Sequence, residues 1–309
     1  MAARTATTGA LSSRRRNEAI MAWLFSTPAI ILLIVFLIVP FLMAFGLAFT
    51  DQRLIPNPNL PTQFVAFRNF TRLIVDETFI RGLLNNFYFV VVVVPLQTAM
   101  AMLLAILVNQ KIKAVNVFRT IYFSPVVTTM VVVSTIWFFL YNPGEGLINA
   151  FIQTISFGRL EPQSWLQDTR LVFPSIMLMS IWQGVGFQMV IYLAGLQEIP
   201  NSLYEAAQVD GANTIQQFFN VTLPQLRNTT IFVVLATTIL AFKLFTQVEV
   251  MTSGGPQNAS MTTIVHVVHQ GWGNLKVGYA SAVTVVFFLI VLGVSLLQRF
   301  FLREERAVD

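Results

Sequence analysis

Residues 83–108 read LLNNFYFVVVVVPLQTAMAMLLAILV, an apolar run of 26 residues without a charged side chain. A helix of about 20 mostly apolar residues crosses a hydrocarbon core about 30 Å thick. This run is therefore long enough to span a membrane as a single helix, and we predict that it does.

Five more apolar runs of similar length lie on either side of this one. Together they predict six spans, at Ala22–Phe49, Leu83–Val108, Ile121–Tyr141, Leu171–Leu196, Thr229–Met251 and Tyr279–Leu302. Apolar residues make up 55% of the 309 residues and charged residues only 11%, which excludes an ordinary soluble globule because so much apolar surface needs hydrocarbon to cover it. The predicted fold class is all-α, a polytopic bundle of six transmembrane helices in a lipid bilayer.

The first run follows three consecutive arginines, as the core of a signal peptide would. Ala22–Phe49 is far longer than the 7 to 15 apolar residues of such a core, and no Ala-x-Ala-like cleavage site ends it. Pro28 and Pro40 predict kinks rather than interruptions, since neighbouring helices can satisfy the freed carbonyls. The segment is therefore predicted to remain as the first span.

The distribution of lysine and arginine predicts the orientation. If both termini are cytoplasmic, eleven of the 19 lysine and arginine residues lie on the cytoplasmic side and one lies within a span. The other seven lie on the outer side, namely Arg53, Arg68, Arg72, Arg81, Arg159, Arg170 and Lys276. The positive-inside rule then places both termini in the cytoplasm. Residues 1–21 are predicted to form an N-terminal tail, 22–302 the transmembrane domain and 303–309 a C-terminal tail. The same rule accounts for the net charge of +5, and no basic stripe interleaved with aromatics indicates a nucleic-acid partner.

The predicted cytoplasmic loop 197–228 is too ordered in its residue choice to be a mere connector. Ser202 and Glu205 have capping-box spacing, which predicts that a short helix begins there. Gly211 predicts a break after it, because glycine tolerates a positive φ at a helix C-terminus.

A second short helix is predicted to follow the break. It would carry Ile215, Phe218, Phe219 and Val221 toward one side and end before Pro224. Two short amphipathic helices at an angle would make a protruding cytoplasmic knob.

Residues 205–212 read EAAQVDGA, and Phe218, Val221, Leu223-Pro224 and Leu226 follow at fixed spacing. This pattern resembles the Glu-Ala-Ala coupling loop of binding-protein-dependent ABC importer permeases. The resemblance implies that the residues coupling the chain to ATPase subunits are Glu205, Ala206, Ala207, Asp210, Gly211, Ala212, Phe218 and Pro224. From the residues alone, the two acidic side chains either pair with basic residues of a partner groove or serve only as polar groups at helix ends.

Four other stretches resemble sugar permeases, in particular the maltose- and glycerol-phosphate-type first permease subunit in its six-span form. They are residues 64–70 (FVAFRNF), 118–125 (FRTIYFSP), 142–149 (NPGEGLIN) and 252–256 (TSGGP). The chain lacks the extra N-terminal spans and the large outer domain of the enterobacterial maltose subunit. The resemblance therefore implies a sugar, oligosaccharide or polyol-like solute without identifying it.

No Gly-x-x-x-x-Gly-Lys-Ser/Thr loop occurs, so the chain is predicted to bind no cofactor and not to be an enzyme on its own. Gly184 and Gly186 lack the third glycine of a dinucleotide-binding fingerprint. The resemblance implies that ATP and Mg bind to a dimeric partner ATPase. It also implies a second homologous permease subunit, an external solute-binding protein and a location in the bacterial cytoplasmic (inner) membrane.

Ionisable residues within a span generally have a function, because their burial in hydrocarbon is costly. The fifth predicted span carries Lys243 and Glu249, together with Thr237, Thr238, Thr246 and Gln247. Lys243 and Gln247 are four residues apart and are predicted to share a helix face that lines the translocation path. The alternatives are that Lys243 snorkels or neutralises an acid on another span, and that Glu249 merely lies near the outer surface.

The fourth predicted span contains Trp182-Gln183-Gly184-Val185-Gly186-Phe187-Gln188. Its glycines permit close approach of a backbone or a ligand, and its aromatic rings can stack on a sugar. By resemblance, this stretch corresponds to a substrate-contacting segment, so Trp182, Gln183, Gly184 and Phe187 are candidates for the path. Helix packing through small residues is the alternative.

Other classes of protein fit the sequence less well. His266 and His269 lack the third ligand that zinc usually needs, and the absence of cysteine excludes thiolate chemistry. An intramembrane enzyme would need a convergent acid, base and nucleophile. An ion-coupled secondary carrier for a small polar solute could use Lys243 and Glu249, but the predicted knob would then have no purpose.

Overall fold

The computed structural model describes residues 3–56, 59, 61–110 and 115–302, with side chains from residue 18 onward. The predicted tail 303–309 lies outside the described residues. Within them the chain is helical, and its extended pairing is a single isolated bridge between Thr50 and Phe64. The predicted all-α membrane fold is confirmed.

Fifteen α-helices follow one another in the described chain. They are α1 (Ala3–Leu33), α2 (Val39–Leu47), α3 (Arg68–Ile74), α4 (Glu77–Asn109), α5 (Val115–Val127), α6 (Met130–Leu140), α7 (Leu147–Ile155), α8 (Val172–Glu198), α9 (Asn201–Val209), α10 (Thr214–Gln217), α11 (Leu223–Gln225), α12 (Arg227–Phe242), α13 (Thr246–Thr252), α14 (Thr263–Val268) and α15 (Val277–Phe301). Three π-helical turns connect some of them, at Ile34–Ile38, Phe218–Thr222 and His269–Gly273.

Four helical segments are each long and apolar enough to cross a membrane. They are Glu18–Leu47, α4, α8 and α15. Two bent pairs, α5 with α6 and Thr214–Gln225 with α12, bring the number to six if each pair is one span. The number of six agrees with the prediction from the sequence, but the second pair includes residues 214–225 and not α13, whereas the predicted fifth span was Thr229–Met251.

The third predicted span, Ile121–Tyr141, is not straight. α5 and α6 meet at a bend of 99°, where Thr129 takes an extended backbone conformation. Pro125 lies in the last turn of α5 and lacks the N–H that a continuing helix would use.

The fifth predicted span, Thr229–Met251, is interrupted, so its prediction as one helix was wrong. α12 ends at Phe242, and α13 begins at Thr246 after a short non-helical segment. Polar side chains replace the missing helical bonds, because Thr262 Oγ1 donates to the Leu244 carbonyl at 2.9 Å. Such interruptions occur at membrane depth only where protein groups satisfy the backbone.

Helices α4 and α8 form the centre of the bundle and run parallel. The ring of Phe89, in the N-terminal half of α4, lies 6.1 Å from that of Phe173, at the start of α8. Near their C-termini Ala105 and Leu196 belong to one buried cluster. Gly186 of α8 lies against the carbonyl of Tyr122 in α5, where a β-carbon would collide, so the glycine permits this close packing.

The parallel pair defines two ends of the bundle. Residues 199–226 follow the C-terminal end of α8 and form what we call the knob end. Residues 48–56 and 61–76 precede α4 and form part of what we call the distal end. No residue in the most apolar stretch of the segment Glu18–Leu47 is buried against the rest of the chain. Lipid or another subunit must therefore cover this segment.

Candidate functional site

The knob consists of residues 201–226 and begins with α9. This helix starts at Asn201 after Pro200, so Ser202 lies inside the first turn and makes no capping hydrogen bond. The predicted capping box of Ser202 and Glu205 was therefore wrong. The side chains of both residues are exposed.

A capping box does exist at the start of the second knob helix. Asn213 Oδ1 accepts from the backbone N–H of Gln216 at 2.9 Å, and Gln216 Oε1 accepts from the N–H of Asn213 at 2.8 Å. The two bonds satisfy donors that the helix start would otherwise leave unpaired. They fix where α10 begins.

The predicted break at Gly211 is present. Gly211 has φ +79°, and the N–H groups of Gly211 and Ala212 donate to the carbonyls of Gln208 and Ala207 at 3.0 and 2.9 Å. This is a Schellman motif, which ends a helix and turns the chain through a left-handed residue. The exposed Asp210 is the C-cap of α9.

The second knob helix is longer than predicted and presents two faces. It runs from α10 through the π-helical turn Phe218–Thr222 into α11, so Pro224 lies inside its last turn rather than beyond its end. Phe218 and Val221 pack against the core, whereas Ile215 and Phe219 are 69% and 58% exposed. The prediction that all four share one side was wrong, because residues 215 and 219 face solvent and 218 and 221 face the bundle.

Side-chain bonds join the two knob helices into one unit. The hydroxyls of Tyr204 and Thr222 lie 3.0 Å apart, and Gln217 Nε2 donates to the carbonyl of Ala212 at 2.9 Å. Leu226 is fully buried at the base. The knob is therefore packed against the transmembrane bundle at its base.

The outer surface of the knob is apolar. Val209 is 88% exposed, and Ile215 and Phe219 lie on the neighbouring helix. Ala206 is exposed and Ala207 and Ala212 are half-buried, so small residues surround the turn. Exposed apolar groups rimmed by polar residues are typical of a protein-binding surface.

The interrupted span changes the geometry of the predicted path residues. Lys243 is the exposed C-cap of α12, and Gln247 is buried in α13, on the other side of the break. Lys243 and Gln247 therefore do not share a helix face as predicted, because no continuous helix connects them. Their participation in a path stays a prediction.

Polar residues of the fifth span bond to other helices. Gln188 Nε2 donates to Thr237 Oγ1 at 2.6 Å, and Gln247 Nε2 donates to Ser180 Oγ at 3.3 Å. Gln298 Nε2 donates to Thr238 Oγ1 at 3.0 Å. These bonds join α8, α12, α13 and α15 through the amide N–H groups of three glutamines.

The fourth span uses its glycines for packing. Gly184 lies against the side chain of Gln97 in α4, where a β-carbon would collide. Trp182 and Phe187 are exposed, and the ring of Trp182 lies 5.5 Å from that of Trp137. Gln183, next to Trp182 in the chain, is half-buried.

Each histidine faces one carboxylate. His269 Nε2 lies 3.3 Å from Glu249 Oε2, and His266 Nε2 lies 3.3 Å from Asp76 Oδ2. No group of three or more potential ligands that could hold a metal ion occurs among the described residues. The sequence pattern assigned neither histidine a role, although a spacing of three predicts that both lie on one side of a helix.

Asp76 joins three elements at the distal end. It caps α4 by accepting from the N–H groups of Thr78 and Phe79, and it accepts from the hydroxyl of Tyr279 at 2.5 Å. Burial alone would raise the pKa of Asp76, but these bonds and the nearby His266 hold it below its ordinary value. Burial lowers the pKa of His266, although Asp76 opposes that shift.

Asn86 forms a clamp that was not predicted from the sequence. Its Oδ1 accepts from the N–H of Thr263 at 2.9 Å, and its Nδ2 donates to the carbonyl of Phe242. The signal was present in the sequence, as two asparagines inside an otherwise apolar run are costly unless they bond to protein.

Comparison with known proteins gives consistent results. Residues 74–306 match the family described as "Binding-protein-dependent transport system inner membrane component". The probable ABC transporter permease protein YurN of Bacillus subtilis (strain 168) is 34% identical over 289 residues, which cover 93% of this chain and 97% of that protein. The lactose transport system permease protein LacF of Rhizobium radiobacter is 32% identical over 299 residues, covering 96% and 98%.

A solved structure shares the fold. It is a chain of the bacterial alginate ABC transporter in complex with alginate pentasaccharide-bound periplasmic protein, with a TM-score of 0.80 and 23% identity. The match covers 94% of this chain and 96% of that chain.

Proposed function

We propose that this chain, which belongs to the family of binding-protein-dependent transport system inner membrane components, is the permease subunit of an ATP-driven ABC importer for a sugar, oligosaccharide or polyol-like solute. The name of the lactose relative and the alginate in the structural neighbour support a carbohydrate. The bundle would form half of the translocation path, and a second homologous permease subunit would form the other half.

The knob is the observation that carries the coupling part of the proposal. It presents an exposed apolar surface at one end of the bundle and is anchored there by the buried Leu226. A groove on a partner ATPase subunit would bury Val209, Ile215 and Phe219. Glu205 and Asp210 lie exposed beside that surface, where basic residues of the groove could reach them.

Movement would pass from the knob to the path as rigid-body motion. The Schellman turn at Gly211 and the Tyr204–Thr222 contact hold the two knob helices in one arrangement. α12 follows directly after Leu226, so a displaced knob would shift the interrupted span that carries Lys243. ATP and Mg, bound on the ATPase subunits, would supply the energy for this alternating access.

The knob end would then face the cytoplasm, with both termini on the same side. The distal end would face outward, where a solute-binding protein delivers the solute. Lys243, Gln247, Thr237 and Glu249 of the fifth span, and Trp182, Gln183, Gly184 and Phe187 of the fourth, are proposed to lie along the path.

Co-purification of the tagged chain with its partners tests the proposal. The variant Gly211→Pro removes the φ of +79° and the N–H that bonds to Gln208. Gly158→Pro is a matched control, since Gly158 has φ +75° and its N–H bonds to Gln153 at the distal end. Mass spectrometry should find an ATPase subunit with the wild type and with Gly158→Pro, but not with Gly211→Pro.

Two outcomes would contradict the proposal. Recovery of the ATPase with Gly211→Pro at wild-type yield would show that the knob is not the coupling element. A stable preparation that transports solute without any ATPase would favour an ion-coupled carrier, with Lys243 and Glu249 as the coupling groups.

A further inference from the structure

A basic pocket of about 320 Å³ opens at the distal end. Its lining includes Arg53, Arg68, Arg72 and Lys276, whose side chains are exposed, together with Asp51 and Tyr279. Four of the seven cations that the sequence assigns to the outer side therefore converge here. The positive-inside rule makes lysine and arginine uncommon on the outer side of the membrane, so four of them in one pocket indicate a function.

The pocket has a built frame. The N–H of Gly278 donates to the carbonyl of Gln52 at 2.9 Å, and that of Leu54 donates to the carbonyl of Leu275 at 3.0 Å. Gly278 lies against the carbonyl of Thr50, where a β-carbon would collide. The segment carrying Arg53 is therefore fixed against the start of α15.

A buried asparagine fixes the other wall. Asn69 Nδ2 donates to the carbonyls of Ala48 and Thr50, both at 2.8 Å. Asn69 belongs to α3, which carries Arg68 and Arg72 into the pocket. The cations thus come from three separate segments that hydrogen bonds hold together.

Positive charge in the pocket exceeds negative charge. Arg68 lies 3.9 Å from Asp51, and the guanidinium of Arg72 stacks 4.5 Å above the ring of Tyr279. Asp51 also accepts from the N–H of Gln63 at 2.6 Å. Asp76 accepts from the hydroxyl of Tyr279 and adds a second carboxylate next to the pocket. Four cations therefore face two carboxylates, which leaves net positive charge for an anion.

Exposed apolar side chains lie close in the chain to the residues that line the basic pocket. Phe64 is 76% exposed, Ile74 is 75% exposed, and Phe67 and Val75 are exposed beside them. The rings of Phe64 and Phe67 lie 6.5 and 5.6 Å from that of Phe49, which follows the end of the first span. Aromatic rings at the ends of spans are typical of the level of the lipid headgroups.

We propose that this pocket binds the phosphodiester of an anionic phospholipid headgroup. Arginine guanidinium groups match phosphate oxygens in a forked geometry, and a lysine adds a point charge. The acyl chains would lie on the apolar surface of Glu18–Leu47, whose most apolar stretch is not buried against the rest of the chain. An acidic protein surface would satisfy the charge, but it would not call for exposed phenylalanine and isoleucine close in the chain to the pocket residues.

The test uses the whole transporter complex in lipid nanodiscs of phosphatidylcholine, with and without phosphatidylglycerol. The variant Arg53→Gln/Lys276→Gln removes two pocket charges at exposed positions. Arg159→Gln/Arg170→Gln is the matched control, because it removes two exposed distal charges outside the pocket. Native mass spectrometry measures retained phosphatidylglycerol, and thermal unfolding measures stabilisation.

We expect the pocket variant to bind phosphatidylglycerol about thirtyfold more weakly and to lose most of the rise in Tm that this lipid produces, since each of the two cations removed contributes about 1 kcal/mol near an anionic surface and about 1.4 kcal/mol corresponds to a factor of ten. The control should behave as the wild type. Equal retention of phosphatidylglycerol by the pocket variant and the wild type would overturn the proposal.

Two further arms separate other sources of the anion. Inorganic phosphate at millimolar concentration should not reproduce the rise in Tm in phosphatidylcholine discs, and if it does, the ligand is a free anion. If the pocket variant weakens binding of the solute-binding protein in discs without phosphatidylglycerol, the occupant is a protein carboxylate and the lipid proposal fails. Neither result bears on the knob, so the proposed importer function is tested separately.

Discussion

Asn86 in the second span donates through Nδ2 to the carbonyl of Phe242, the last residue of α12, at 3.2 Å. The same side chain accepts from the N–H of Thr263, so one buried amide joins the end of α12 to the start of α14. A membrane interior offers no water to satisfy those backbone groups. The interruption that exposes Lys243 therefore depends on a residue more than 150 positions away in the sequence.

Replacing Asn86 tests that dependence. Asn86→Ala would leave one buried carbonyl and one buried N–H unpaired, and each such group costs about 1–3 kcal/mol. We expect the purified complex to lose roughly 2–4 kcal/mol of stability, measured as a lower Tm, and solute uptake to fall with it.

Asn85→Ala is the control for the Asn86 variant. Asn85 Nδ2 donates to the carbonyls of Ala259 and Met261, but it is only half-buried, so water can replace it. Its loss should cost less than about 1.5 kcal/mol. Equal effects of the two substitutions would show that the Asn86 clamp has no special part in holding the break.

The cluster at the distal end predicts a pH dependence. The pKa of His266 lies below its ordinary value of 6.5 because burial disfavours the charged imidazolium. The folded protein therefore binds fewer protons than the unfolded chain, and stability falls as the pH drops below about 6.5. The lowered pKa of Asp76 acts in the same direction but only near and below 3.8.

The variant His266→Gln should remove this dependence between pH 7.5 and 5.5. The measurement is the difference in Tm between the two pH values, which should be smaller in the variant than in the wild type. His269→Gln, at a half-exposed position, is the control. A slope that His266→Gln leaves unchanged would exclude His266 as its source.

The sequence predicted those features that depend on local composition. The length of the apolar runs predicted where the spans lie, and Gly211 predicted the break in the knob. Both features depend on residues that are neighbours in the sequence. The interruption after Phe242 depends on distant groups such as Thr262 and Asn86, which no local pattern reveals.

The candidate site shows the same limit. Spacing of four predicted a common face for Lys243 and Gln247, but that rule holds only within a continuous helix. In the knob, the sequence pattern predicted both helices but placed the N-cap of the first one at Ser202. The N-cap is the residue just before the first one with a helical backbone. Pro200, with its fixed φ, moved the start of the helix ahead of Ser202.

The exposed face of the knob gives a third prediction. Phe219→Ala removes an exposed ring that makes one ring contact, to Phe218 at 5.0 Å. Binding of the ATPase should weaken by about 2–4 kcal/mol if the ring fills a groove, whereas the Tm of the isolated chain should change little. Phe151→Ala, which removes an exposed ring in α7, should leave ATPase binding unchanged.

Trp182 gives a fourth prediction. Its exposed ring can stack on a sugar, and aromatic stacking contributes about 0.5–1.5 kcal/mol. Trp182→Ala should therefore raise the apparent KM for uptake by about two- to tenfold with the amount of assembled complex unchanged. If Tm alone falls, the ring acts only in packing against Trp137.

Lys243 gives the last prediction. It lies exposed at the break between α12 and α13, and an ammonium group there can donate hydrogen bonds to solute hydroxyls. Hydrogen bonds to charged groups contribute about 1.5–3 kcal/mol, so Lys243→Met should reduce uptake about ten- to a hundredfold. Assembly and Tm should stay close to wild type because the side chain is not buried. Lys243→Arg, which keeps the charge, should retain part of the uptake, and Arg159→Met, an exposed change at the distal end, should retain all of it. Wild-type uptake kinetics in Lys243→Met would remove Lys243 from the path and leave snorkelling as its role.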